Sequence, residues 1–118
     1  MIIALDYDDT YTADKSLWVA FIQLAQILDH TIYIVTMRDG EEDWHSDFEW
    51  LEKTFGVKTI FCNGESKRDV TERLGIPINI WIDDRPEGIT SGSSYSVDKL
   101  LEWREDQKKS GGIEEKAA

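Results

Sequence analysis

The chain has 118 residues, 41% hydrophobic and 11% aromatic, enough apolar mass for one packed domain and too much for a disordered chain. Thirteen Lys and Arg against twenty-four Asp and Glu leave a net charge of −11, which argues against a basic face that grips duplex nucleic acid. A single cysteine, Cys62, permits no internal disulfide and suits a reducing, cytoplasmic compartment. The longest apolar run, Leu17 to Ile22, falls far short of the roughly 20 residues of a membrane helix. No basic stretch precedes an apolar run at the start, so neither a signal segment nor a membrane partner is expected.

Taken in chain order, residues 2–6 (IIALD) form a short apolar run ending in an acid and read as a strand. Between Lys15 and Asp29, Leu17, Phe21, Leu24 and Leu28 recur at steps of four, three and four, the apolar face of a helix. Residues 32–36 (IYIVT) are β-branched and aromatic, a buried strand. The stretch 41–55 places Trp44, Phe48, Leu51 and Phe55 on one helical face and stops at Gly56. Asp39, Glu41, Glu42 and Asp43 then serve the positive end of that helix. Residues 57–62 (VKTIFC) read as a third strand, with Cys62 as a small hydrophobe near its end. Ser66 and Asp69 resemble a capping box that opens a short helix ending at Gly75. Residues 78–83 (INIWID) form a fourth strand and 97–108 a last helix; the domain spans 1–109, with a frayed tail over 110–118.

This alternation implies a three-layer α/β/α, Rossmann-like fold with a mostly parallel sheet covered on both faces. Such open sheets bind ligands at the carboxyl ends of their strands, where the strand order reverses. There stand Asp6, Asp8, Asp9 and Thr10 after strand one, Thr36 after strand two and Asp83-Asp84 after strand four, while Lys67 opens the helix after strand three. Asp6, Asp8 and an acid from strand four would crowd three carboxylates into one small volume, where they repel one another without a cation, and hard oxygen donors select Mg²⁺. With the Thr36 hydroxyl and the Lys67 ammonium beside them, they describe a phosphoryl-transfer site.

On these residues the sequence resembles the haloacid dehalogenase-like hydrolases, over about residues 1–88. The strand followed by Asp6-x-Asp8-x-Thr10, the strand ending in Thr36, Lys67 at a helix start and the apolar strand ending in Asp83-Asp84 occur in that family's order. The resemblance implies that Asp6 is a nucleophile forming an aspartyl-phosphate, and that Asp8 is the acid and base for leaving group and water. It implies that Thr36 and Lys67 hold phosphoryl oxygens. It also implies Mg²⁺ on Asp6, on the main-chain carbonyl of Asp8 and on a strand-four acid, Asp84 directly with Asp83 behind it or the reverse. Asp8 favours a phosphatase over a dehalogenase.

Asp9 departs from the family's usual glycine and, with Thr10, adjoins the substrate position. Only short segments follow strands one and three, so no cap domain is expected, and an open site admits bulky phosphoesters or is covered by a neighbouring copy. A nucleotide or a phosphorylated nucleic-acid end is the first substrate expectation and a phosphoprotein the second; oligomeric state stays open. Lys58 and Arg68 compete with Lys67 for the third motif. Arg38 reads equally as a substrate contact and as a partner of the acids at 39–43, and Arg85 as a structural partner of Asp83 or Asp84. His30 and His45 have no partners at metal-ligand spacing. Two rival classes are a receiver-like phospho-acceptor domain, whose acceptor aspartate should end strand three, and a catalytically inactive Mg²⁺-binding scaffold.

Overall fold

Four short runs of branched and aromatic residues become the strands of one parallel sheet in the computed structural model, which describes residues 1–91. These are β1 (Ile2–Leu5), β2 (Thr31–Thr36), β3 (Lys58–Phe61) and β4 (Ile80–Ile82), in spatial order β3-β2-β1-β4 with every pair parallel. The connecting helices are α1 (Lys15–Ile27), α2 (Ser46–Phe55) and α3 (Lys67–Arg73), and α4 (Glu87–Thr90) follows β4. The expected helix at 97–108, the tail at 110–118 and the end of the domain at 109 lie outside the described residues. No helix among the described residues is long and apolar enough to cross a membrane.

The chain steps one way across the sheet from β1 to β3 and then returns over β2 and β1 to reach β4. Crossovers of the single favoured hand therefore put α1 and α2 on one face and α3 on the other. The two cores follow strand alternation. Ile3, Leu5, Ile32, Ile34 and Ile82 pack with Ile22, Ala25, Phe48 and Leu51 of α1 and α2. Ala4, Val35, Ile60 and Trp81 pack with Val70 of α3.

Helix ends are set by side chains close in sequence. Asp14 accepts the Leu17 N–H at 3.1 Å, and His45 Nδ1 accepts the Asp47 N–H at 3.0 Å. Gly56 closes α2 in the left-handed region, at φ +71°. His45 is thus a cap, and His30 meets the terminal amine of Met1.

Two sequence expectations are corrected. The α1 face named by its leucines is not the buried one: Trp18, Ile22 and Ala25 meet the sheet, whereas Leu17, Leu24 and Leu28 are more than half exposed and only Phe21 is partly covered. Second, α2 begins at Ser46 rather than 41. Residues Asp39–Asp43 form a turn in which Asp39 Oδ1 accepts the N–H groups of Glu41 and Glu42, an aspartate turn that competes with the helix. The first-turn acids of α2 are therefore Asp47 and Glu49, and Trp44 stands outside the helix, half exposed.

The difference is measurable by urea denaturation. Leu51→Ala, at a fully buried position, is expected to cost about 2–5 kcal/mol. Trp44→Ala, which sequence periodicity places on the same face, is expected to cost about 0.5 kcal/mol.

Candidate functional site

The chain leaves β1 and β4 toward opposite faces of the sheet, so a crevice opens between their carboxyl ends. The ladder extends one step into this crevice, where the Asp6 N–H donates to the Ile82 carbonyl at 2.9 Å. That bond anchors Asp6 beside Asp83 and Asp84. One carboxylate oxygen from each of the three lies within 4.8 Å of the others.

Lys67 enters from the far side. Ser66 caps α3, its Oγ accepting the Asp69 N–H at 3.3 Å and donating to the Ile89 carbonyl at 2.7 Å, which fixes the first turn of α3 against α4. The Lys67 ammonium, 3% exposed, then donates to Asp6 Oδ1 at 2.7 Å and to Asp83 Oδ2 at 2.5 Å. Lys58 and Arg68, its competitors in the sequence, are exposed. Asp83 is fully engaged, since its Oδ1 accepts the Arg85 N–H at 2.9 Å. Arg85 therefore meets the acid pair through its backbone, and its guanidinium lies 3.6 Å from Glu87.

Thr10 Oγ1 joins the remaining oxygens. It lies 3.1 Å from Asp6 Oδ2 and 3.2 Å from Asp84 Oδ1, so its single proton serves one carboxylate at a time, and it accepts the Asp84 N–H. Asp6, Thr10, Lys67, Asp83 and Asp84 thus form one connected cluster.

One ammonium does not balance three carboxylates. Burial pushes the Asp6 carboxyl up to about 7, against the pull of the Lys67 charge and with a further rise from its hydrogen bond to Asp84. Burial also raises Asp83, helped by the charge of Asp6, and it raises Asp84. Burial alone would lower Lys67, but the Asp6 and Asp83 charges outweigh it and hold the ammonium above its ordinary value. An all-carboxylate donor set carrying excess negative charge fits a hard divalent cation, with Asp6 and Asp84 presenting the less engaged oxygens.

Asp8 does not join this cluster. Arg38 grips both of its oxygens, Nε to Oδ2 at 2.9 Å and Nη2 to Oδ1 at 2.8 Å, while Nη1 donates to the Asp43 carbonyl at 2.8 Å. The guanidinium lies 4.9 Å from the centre of the Tyr7 ring, and the Tyr7 hydroxyl donates to Asp47, which also pairs with Lys15 at 2.8 Å. Of the two sequence readings of Arg38, an acidic partner is present, but it is Asp8 rather than an acidic side chain of 39–43. Thr36 is fully buried at the end of β2, and its hydroxyl accepts the Arg38 N–H at 3.2 Å.

Tyr7 and Asp47 escaped sequence reasoning. For Tyr7 the signal was present: it lies between the two motif acids, where strand alternation turns it toward the apolar face. Trp50 is half exposed, as its position off the apolar face suggests, and lines a groove between α1 and α2 with Tyr11, Lys15 and Asp47.

Asp9 sits at φ +61° in the turn Tyr7–Tyr11, a left-handed conformation that suits glycine and that aspartate tolerates better than most residues. No family model, curated protein or solved structure matches this chain.

Two outcomes are expected. Between the ordinary carboxylate value of about 4 and about 7, the folded chain holds a proton on Asp6 that the unfolded chain has released. Stability with chelator present therefore falls as pH rises through that window, and thermal melts at about pH 5 should exceed those at about pH 8. Asp9→Gly, which relieves the left-handed strain and removes a charge that raises Asp84, should raise the unfolding free energy measured in urea by about 0.5–1 kcal/mol, whereas Asp9→Ala should lower it.

Proposed function

We propose that this chain is a Mg²⁺-dependent phosphomonoester hydrolase of the haloacid dehalogenase-like type, capless, working through an aspartyl-phosphate on Asp6. The observation that carries the reading is the meeting of Asp6, Lys67, Asp83 and Asp84 at the crevice between β1 and β4. These residues come from three separate segments, and no need of the fold requires so many charges there. The short connections after β1 and β3 support the absence of a cap.

Mg²⁺ would be held by Asp6, the Asp8 carbonyl and Asp84, with Asp83 behind them on Lys67; it supplies charge neutralisation and polarises a phosphoryl oxygen. An Asp6 carboxylate oxygen bonds to phosphorus as the bond from phosphorus to the ester oxygen breaks. Asp8 gives its proton to that leaving oxygen. Water then attacks phosphorus and returns a proton to Asp8, while the bond to Asp6 breaks and inorganic phosphate departs. Lys67 and the Thr36 hydroxyl hold the phosphoryl oxygens as charge redistributes. In these roles Asp8 must exchange the Arg38 fork for the substrate, which leaves the guanidinium to a substrate oxygen.

The receiver-like reading loses ground on topology. The receiver fold runs 2-1-3-4-5, with strand three beside strand one, whereas here β4 occupies that place and β3 ends in Phe61, with no carboxylate. An inactive cation-binding scaffold is the second reading, favoured by the engagement of both Asp8 oxygens with Arg38.

Purified protein incubated with nucleotides, sugar phosphates, phosphopeptides and phosphorylated DNA ends decides between them. The enzyme reading expects phosphate release only with Mg²⁺, greatest on nucleotides or nucleic-acid ends, and a fall of about a thousandfold or more in Asp6→Asn. No release from any member of the panel would favour the scaffold.

A further inference from the structure

We propose that two copies of this chain pair through the outer flank of α1. The helix buries Trp18, Ile22 and Ala25 against the sheet and leaves Leu17 55%, Leu24 58%, Ile27 76% and Leu28 60% exposed. Four large aliphatic side chains along one helix make a continuous apolar strip of a kind that monomers rarely leave in water. Strand alternation extends it. Ile82 points to the α1 side of the sheet, so Ile80, two residues earlier and 38% exposed, points the same way. Because α1 runs antiparallel to the strands, Ile80 lies toward the Leu24–Leu28 end.

A second copy is the occupant that the flank itself describes. Leu17, Leu24 and Leu28 line one side of the helix at steps of seven and four, with Phe21 between them partly covered by the core, a row by which one helix interlocks with another carrying the same row. A two-fold contact requires this self-complementarity, since each patch must receive its own copy. Charge points the same way. The chain carries −11 overall, yet from Ser16 to Leu28 it has no ionisable side chain, so two copies meeting here bring no like charges into contact. By contrast, the exposed surfaces of α2 and α3 carry Glu49, Glu52, Asp69 and Glu72.

The size of the contact sets its strength. A helix of 13 residues is about 20 Å long, and one helix pair with Ile80 at its edge stays below the ~1,600 Å² of a standard specific interface. Pairing is therefore weak and concentration-dependent, and it strengthens with salt as the mutual repulsion of two acidic chains is screened. It does not depend on the catalytic reading.

Sedimentation velocity on the full chain, from well below to well above micromolar concentration, tests the proposal. The mass should rise from one chain toward two, with the transition moving to lower concentration in added salt. Leu24→Glu and Leu17→Glu should hold the protein at single-chain mass with unchanged circular dichroism. Leu17→Glu places its charge in the first turn of the helix, where it favours the fold. Leu74→Glu, at an exposed leucine following α3, should still dimerise like the wild type. A wild type at single-chain mass throughout overturns the proposal, whether residues 92–118 then cover the flank or leave it open. Dimers that persist in both α1 variants overturn it as well.

Discussion

A buried ammonium between two carboxylates organises this molecule. Removing Lys67 from water is costly, and the cost is offset only because Asp6 and Asp83 each supply an oxygen within hydrogen-bond distance. The ion pair ties the end of β1, the start of α3 and the end of β4 to one point. Deleting the ammonium would leave two buried acids without their cation, which is far worse than never having built the pair. The balance is also incomplete. Three acids face one lysine, and the surplus appears as the raised Asp6 carboxyl, its proton shared toward Asp84. A site in this condition gains more from a divalent cation than one already neutral.

Beside it stands a second knot of charge. Arg38 closes on Asp8 in a two-pronged pair, held from above by the Asp43 carbonyl and resting over the Tyr7 ring. This second knot is anchored where β2 ends, since the buried Thr36 hydroxyl accepts the Arg38 N–H. The loops carrying the two knots are stitched together by backbone bonds, from Asn63 N–H to the Arg38 carbonyl and from Gly64 N–H to the Met37 carbonyl. Asn63 and Gly64 both take positive φ to make that turn. Rigid placement of the rim follows from these bonds, while the Arg38 fork holds Asp8 apart from the Asp6 cluster.

Away from the rim the molecule is asymmetric. The face carrying α3 is closed by a small core, whereas the opposite face carries α1 with its leucines turned sideways, toward β4. Acidic side chains occupy the surface of α2 and the loop before it. On so acidic a protein, that exposed apolar flank is the surface to which the proposed pairing is assigned.

Much of this was legible in the chain itself. Short runs of branched and aromatic residues, two of them ending in acids, read as the parallel strands, because a strand buried on both faces must read as continuous apolar sequence. Acids at 6, 83 and 84 were assigned to one rim because every strand of a parallel sheet presents the same end there. Lys67 was preferred to Lys58 and Arg68 on the geometry expected of the site, but only the folded chain separates it from Arg68, its exposed neighbour on α3. Three further things were decided only by the folded chain: the seat of Arg38 on Asp8, the turn that replaced a first helical turn at 39–43, and the exposure of Leu17, Leu24 and Leu28. Periodicity tells which residues share a face of a helix, but not which face the neighbouring strands will cover. It likewise cannot say which of several acids a flexible cation will reach, because that depends on strand order and on the few ångströms between loops that only tertiary packing sets.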